Sequence, residues 1–166
     1  ANASIKPLAN EYVHEIMRRI NLRLGRALGH NEQTTQQDVD WANEIVDKTL
    51  NSVDTSKGIF VMQDYKLENT SFSKVDGQWK LSGLFDLMES YFGFGETVLA
   101  REYGLLKDHN LPNLADFFVT EYARAAGRNE AAIRERLPAY LIIDRAIVWE
   151  FRQRDGLMKD NIKTFR

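Results

Sequence analysis

Apolar residues recur every three or four positions at both ends of the chain, and this pattern breaks down only between residues 58 and 95. Such a period marks helices that bury one face. Near the amino terminus the repeating residues are Leu8, Tyr12, Val13, Ile16, Met17, Ile20, Leu24 and Leu28. Gly29 follows them and is suited to ending a helix.

A second helical repeat follows after a short polar segment. It consists of Trp41, Ile45, Thr49, Leu50 and Val53. Its start can be capped either by Thr34 with Gln37 or by Thr35 with Asp38. The two repeats together predict a pair of antiparallel helices over residues 7–54.

The interruption of the helical pattern predicts a small β region. An apolar run at residues 58–62 is suited to a strand, and it opens a strand-and-loop segment over residues 58–70. Beyond it, two short segments flank Asp76-Gly77, a dipeptide that accepts the positive backbone angles of a tight turn. We therefore expect a β-hairpin over residues 70–86.

The rest of the chain is predicted to be a helical bundle over residues 95–153. Asn113 and Asn129 are placed to cap two of its helices. An almost uniformly apolar stretch at 140–149 indicates a central helix. The helical segments lie near residues 97–103, 114–126, 130–136 and 139–152. Just before them, residues 91–95 are expected to form a tight turn, with a flexible pocket wall as the alternative.

Length and composition favour one domain that covers residues 1–166 and is mainly α. The 166 residues are 43% hydrophobic, which suits a single core. A net charge of −2, with the basic residues spread along the chain, argues against nucleic acid as a partner. The absence of cysteine excludes disulfides and thiolate metal sites. No apolar run reaches membrane-spanning length, so we expect a cytoplasmic protein without a membrane partner.

Oxygen-bearing and basic side chains cluster at the ends of the predicted strands. Asp64, Lys66 and Asn69 follow the first strand, and Asp86 lies at the end of the hairpin. Carboxylate and amide oxygens are the ligands that Mg²⁺ prefers. A second carboxylate can orient a hydroxyl, and a lysine can stabilise charge on a phosphoryl group. These are the side chains that a phosphoryl-transfer site needs.

The spacing of this cluster is similar to a known pattern. Residues 64–69, Asp-Tyr-Lys-Leu-Glu-Asn, resemble the Asp-x-Lys-x-x-Asn catalytic loop of protein kinases, and Phe85-Asp86 falls where the metal-binding aspartate would lie. Nearly the whole chain is similar to the C-terminal lobe of the aminoglycoside phosphotransferase and choline kinase group. The resemblance implies a helical kinase-like lobe in which a small β-hairpin carries the catalytic loop.

The resemblance also implies the role of each site residue. Asp64 would be the catalytic base or hydroxyl-orienting residue, and Lys66 would contact the transferring phosphate. Asn69 and Asp86 would bind the Mg²⁺ that bridges the phosphates of ATP. Phe85 would form an apolar floor beneath the nucleotide base. The implied activity is ATP-dependent phosphorylation of a small-molecule hydroxyl.

The chain departs from the pattern of that group at several positions. Met62-Gln63 stands where the group has His-Gly, and Phe94 and Val98 stand where it has two aspartates. Nothing upstream resembles a glycine-rich phosphate loop or a strand lysine paired with a helix glutamate. We therefore expect a fragment whose partner is the missing N-terminal nucleotide lobe of the same protein, and which is inactive alone.

Other interpretations remain open from the sequence. A non-catalytic, kinase-derived binding or scaffold module is the main alternative, and a metal-dependent hydrolase is a third. Each site residue also has a structural explanation: Asp64 could cap a turn, Asn69 could adopt a left-handed conformation, and Asp86 could pair with an arginine. Their joint spacing favours function. Glu89 and Glu96 could face a cationic substrate, although solvated surface charge is the simpler interpretation.

Overall fold

The described part of the chain is mainly helical with a small antiparallel β part, as predicted. The computed structural model describes residues 9–30, 33–50, 53, 59–157 and 165. Its α-helices are α1 (Ala9–Leu28), α2 (Gln36–Leu50), α3 (Leu99–Asp108), α4 (Pro112–Ala126) and α5 (Glu130–Arg154). Its strands are β1 (Ile59–Val61), β2 (Thr70–Val75), β3 (Gln78–Leu84) and β4 (Tyr91–Gly93). None of these helices is both long and apolar enough to cross a membrane.

The chain divides into two compact units, one formed by residues 1–56 with 135–166 and the other by residues 57–134. Helix α5 contributes residues to both. That residues 1–166 form a single domain stays a prediction. The expected limits of the first helical pair, residues 7 and 54, lie outside the described residues, as does the expected first strand residue, Gly58.

In the first unit, α1 and α2 pack against each other as the predicted helical pair. The amide of Asn43 donates a 2.7 Å hydrogen bond to Oδ1 of Asn21. These residues lie equally far from the connecting segment, which fits an antiparallel arrangement. The second of the two capping alternatives is confirmed, because Oδ2 of Asp38 accepts from the backbone N–H of Thr35 at 2.7 Å.

Helix α5 supplies the buried late segment that the sequence predicts. Tyr140 and Trp149 are 1% and 7% exposed. The indole Nε1–H of Trp149 donates to Oγ1 of Thr34 at 2.8 Å, which satisfies a donor that burial would otherwise leave unpaired. Arg23 pairs with the buried Glu150 at 2.9 Å. These contacts hold the carboxyl-terminal part of α5 within the first unit.

The expectation of two separate helices at 130–136 and 139–152 is wrong. A single helix, α5, continues through Pro138. Proline lacks the N–H that an interior helical position normally donates, and it usually kinks or ends a helix. Burial of Ile133, Leu137 and Ala139 on either side favours continuation here.

In the second unit, the predicted hairpin is confirmed. Strands β2 and β3 pair antiparallel, and the turn residues Asp76 and Gly77 have φ angles of 53° and 80°. Positive angles at both turn residues match the twist of the flanking strands. A register shift between Ser71 and Phe72 marks a β-bulge. This hairpin connects the two halves of the predicted site.

The expectation of a tight turn at residues 91–95 is wrong for its first part. Residues 91–93 form β4, which pairs antiparallel with β1. A 3₁₀ turn, Gly95–Val98, follows and leads into α3. The strand escaped prediction because its partner lies about thirty residues upstream, and local patterns carry little information about such pairing.

Helices α3 and α4 pack together in the same unit. Of the two predicted caps, Asn129 is confirmed, because its Oδ1 accepts from the backbone N–H of Ala132 at 3.0 Å. The cap at Asn113 is wrong, since α4 already begins at Pro112. Proline is favoured in the first helical turn, where its missing N–H has no intrahelical acceptor.

Candidate functional site

The predicted catalytic segment forms a compact loop at residues 62–69, directly after β1. Met62 is buried, and its carbonyl accepts from the backbone N–H of Tyr65 at 3.2 Å. The N–H of Asn69 donates to the carbonyl of Lys66 at 3.0 Å, which closes a 3₁₀ turn. These short-range bonds fix the backbone around Asp64 without a long segment of regular structure.

The side chains of two predicted site residues, Lys66 and Asn69, both contact Asp64. Lys66 Nζ lies 2.6 Å from Oδ2 of Asp64. The amide of Asn69 donates both to the backbone carbonyl of Asp64 at 2.9 Å and to Oδ2 at 3.1 Å. Asp64 therefore lies at the centre of the loop, and the predicted cluster of Asp64, Lys66 and Asn69 is brought together.

The fourth predicted residue, Asp86, follows the hairpin back to this loop. The backbone N–H of Phe85 donates to the carbonyl of Asn69 at 2.9 Å, and Thr70 pairs with Leu84. Asp86 is the next residue, is exposed, and has a φ of 57°. Its carboxylate makes no ion pair with the described residues. The predicted pairing of Asp86 with an arginine is thus not seen, and it is Asp86 rather than Asn69 that adopts the left-handed conformation.

The ring of Phe85 is 56% exposed. A Cβ atom added at Gly83 would lie 3.2 Å from its Cζ, so the ring sits over this glycine. The same added atom would lie 2.9 Å from Oγ of Ser71. The Phe85 ring can occupy this position because Gly83 has no side chain. The contact of the ring with a nucleotide base stays a prediction.

Helix α3 contributes two consecutive residues that contact the loop. Arg101 Nε lies 3.2 Å from Oδ1 of Asp64, as an ion pair without the alignment of a hydrogen bond. Glu102 Oε2 accepts from the backbone N–H of Leu67 at 3.3 Å. Partial burial raises the pKa of Glu102, and the charge of Glu68 adds to that rise, while the Leu67 N–H opposes it.

An aromatic contact fixes the loop from a second helix. The ring of Tyr65 stacks on Phe118 of α4 with centroids 6.2 Å apart and an angle of 5°. Burial raises the pKa of the Tyr65 hydroxyl, with a further contribution from the charge of Glu102. The loop is thus supported by both α3 and α4, so its conformation does not depend on local bonds alone.

Several of these supporting residues are absent from the predictions. Arg101 lies more than thirty residues downstream of Asp64 in the sequence, so no local pattern indicated their contact. Nothing in the sequence indicated that Tyr65 and Phe118 stack on each other, because this contact joins distant segments. Glu89 is exposed, as a solvated charge would be, whereas Glu96 is 1% exposed and the solvated interpretation is wrong for it.

The predicted Mg²⁺ ligands are the side-chain oxygens of Asn69 and Asp86. Among the described residues, no group of three or more His, Asp or Glu side chains could hold a metal. The Asn69 amide N–H₂ is engaged by Asp64, which leaves its Oδ1 as the atom for a cation. Mg²⁺ commonly takes one or two protein oxygens together with phosphate and water. That Asn69 and Asp86 bind Mg²⁺ stays a prediction.

Comparisons with protein-family models, with curated proteins and with solved structures each returned no match.

Proposed function

We propose that this chain is the catalytic-loop lobe of an ATP-dependent kinase that phosphorylates a small-molecule hydroxyl. The observation that carries the proposal is the double contact of the Asn69 amide with Asp64. This contact leaves an amide oxygen beside a carboxylate, and the Phe85–Asn69 backbone bond brings Asp86 to the same region. Such an enzyme also needs a nucleotide-binding lobe, which we propose as the partner of this chain.

In the proposed reaction, the acceptor hydroxyl binds at the carboxylate of Asp64. The hydroxyl oxygen forms a bond to the γ-phosphorus of ATP while the bond from that phosphorus to the β,γ-bridging oxygen breaks. The hydroxyl proton passes to Asp64, and ADP leaves. Because the transition state asks for little covalent chemistry, positioning and charge stabilisation supply most of the rate.

The neighbouring residues have complementary roles in this proposal. Lys66, whose Nζ lies 2.6 Å from Oδ2 of Asp64, would contact the transferring phosphoryl group. Asn69 and Asp86 would hold Mg²⁺, which neutralises the negative charge of the nucleotide phosphates when bound. Phe85 offers an exposed ring for the nucleotide base.

Substitution of each carboxylate in the full-length protein tests the proposal. We expect Asp64→Ala and Asp86→Ala each to lower kcat by roughly 100- to 10,000-fold, because one removes the hydroxyl partner and the other a metal ligand. ADP formation with MgATP and a panel of small-molecule alcohols is the measurement. Asp40→Ala, an exposed change on α2, is the matched control and should keep the wild-type rate. Full turnover in both site variants would refute the assignment.

A non-catalytic, kinase-derived binding module is the second candidate. It is favoured by the engagement of the Asp64 carboxylate with Lys66, Asn69 and Arg101 of the chain itself, which limits its access to a substrate. Such a module would show no phosphoryl transfer in the wild-type protein, and Asp64→Ala would change only its stability.

A further inference from the structure

Asp64 has two kinds of contact: with residues of its own loop and with a residue of helix α3. Lys66 and Asn69 belong to the same 62–69 loop and contact Oδ2. Arg101 belongs to α3 and contacts Oδ1. A partner on the same loop holds Asp64 relative to that loop, whereas a partner on a packed helix holds it directly relative to the rest of the unit.

Arg101 is well placed for such a restraint. Its side chain is 17% exposed, so it has lost most of its rotamer freedom. The next residue, Glu102, contacts the loop at the Leu67 N–H. Helix α3 itself packs on α4, whose Phe118 stacks on Tyr65. The guanidinium thus connects the reacting carboxylate to the packed pair of helices α3 and α4.

We propose that Arg101 is a positioning residue for Asp64: it fixes the carboxylate so that a substrate hydroxyl meets Oδ1 in the reactive orientation. This inference rests on the proposed phosphoryl transfer. Oδ2 already accepts from Lys66 and Asn69, which occupies both of its lone pairs. Oδ1 faces one cation through an ion pair that is not a directed hydrogen bond, and it therefore keeps a lone pair for the substrate hydroxyl.

The same arrangement gives the side chains of Lys66 and Arg101 different tasks. When Lys66 turns towards a phosphoryl group, Oδ2 keeps its bond from Asn69 and Oδ1 keeps Arg101. The carboxylate then stays in place while the ammonium group serves the transition state. Without Arg101, Oδ1 would lose its contact with α3, and after the movement of Lys66 only Asn69 would hold the carboxylate.

The test compares Arg101→Met and Arg101→Lys in the full-length protein. We expect Arg101→Met to lower kcat roughly 10- to 100-fold, the usual effect of misplacing a reacting group by about 1 Å, while the KM for ATP stays within about twofold. Arg101→Lys keeps the charge and should recover most of the rate. Arg124→Met removes an exposed ion pair on α4 and serves as the control with wild-type kinetics.

A double-mutant cycle separates positioning from general support of the fold. In the Asp64→Ala background, Arg101→Met should cause no further loss in single-turnover rate, because its partner is already gone. An equal loss in both backgrounds, or a lysine variant as slow as the methionine one, would overturn the proposal. If Asp64→Ala lowers kcat as expected while Arg101→Met keeps the wild-type rate, only this inference fails. If Asp64→Ala keeps the wild-type rate, the proposed function itself fails.

Discussion

At the scale of single residues, Asn69 shows most clearly what the sequence can and cannot predict. The short spacing between Asp64 and Asn69 in the sequence predicts that they share one site, and the structure brings the two side chains together. Arg101 reaches the same carboxylate from a segment that lies more than thirty residues downstream. Its role could not be predicted, because ion pairs between distant segments depend on how the intervening elements pack.

The Asn69 contact leads to a stability prediction. Asn69→Asp should lower the free energy of unfolding by about 1 to 3 kcal/mol at pH 7, because the change removes two donated hydrogen bonds and places a second carboxylate beside Asp64. Urea denaturation of the chain is the measurement. Asn113→Asp, an exposed change in the first turn of α4, should be neutral or slightly stabilising.

The pH dependence of this effect follows from the same contact. Protonation turns the new carboxyl group into a donor and removes its repulsion with Asp64. The stability difference should therefore shrink as the pH falls below about 5. A difference that stays constant down to pH 3, or no difference at pH 7, would mean that the Asn69–Asp64 contact is not formed in solution.

At the scale of elements, helices and the hairpin are predictable because their signals are local. The Asp76-Gly77 turn and the Thr35–Asp38 cap each depend on residues within a few positions. The pairing of β1 with β4 depends instead on a close approach of distant backbones. A Cβ atom added at Gly95 would overlap Cδ1 of Ile59 and lie 3.3 Å from the hydroxyl of Tyr122.

Gly95 and Gly25 differ in their surroundings, so we expect opposite effects when each is replaced by alanine. Gly95→Ala should lower the free energy of unfolding by about 1 to 3 kcal/mol, because Ile59 and its strand must shift to admit a methyl group. Gly25→Ala, in the last turn of α1 with nothing within 4 Å, should raise it by up to about 1 kcal/mol. Thermal denaturation of both variants checks the pair. A neutral Gly95→Ala would show that β1 and the 95–98 turn are not in contact.

At the scale of the whole molecule, the proposed site belongs to the unit of residues 57–134. The 62–69 loop, the hairpin, α3 and α4 all fall within that unit. The sequence indicates the class of fold, because the period of the apolar residues distinguishes helix from strand. It does not indicate how the elements divide into units, since that depends on long-range contacts.

The proposed metal site is the feature that most directly distinguishes a kinase lobe from a scaffold. Mn²⁺ can replace Mg²⁺ in sites built from hard oxygen ligands, and it broadens the NMR signals of nearby amides. We therefore suggest titrating Mn²⁺ into the full-length protein in the presence of a non-hydrolysable ATP analogue. The backbone and side-chain amide signals of Asn69 and the backbone amide of Asp86 should broaden first, and Asp86→Ala should remove the effect. Unchanged signals at both residues, with the nucleotide at saturating concentration, would contradict the proposed site.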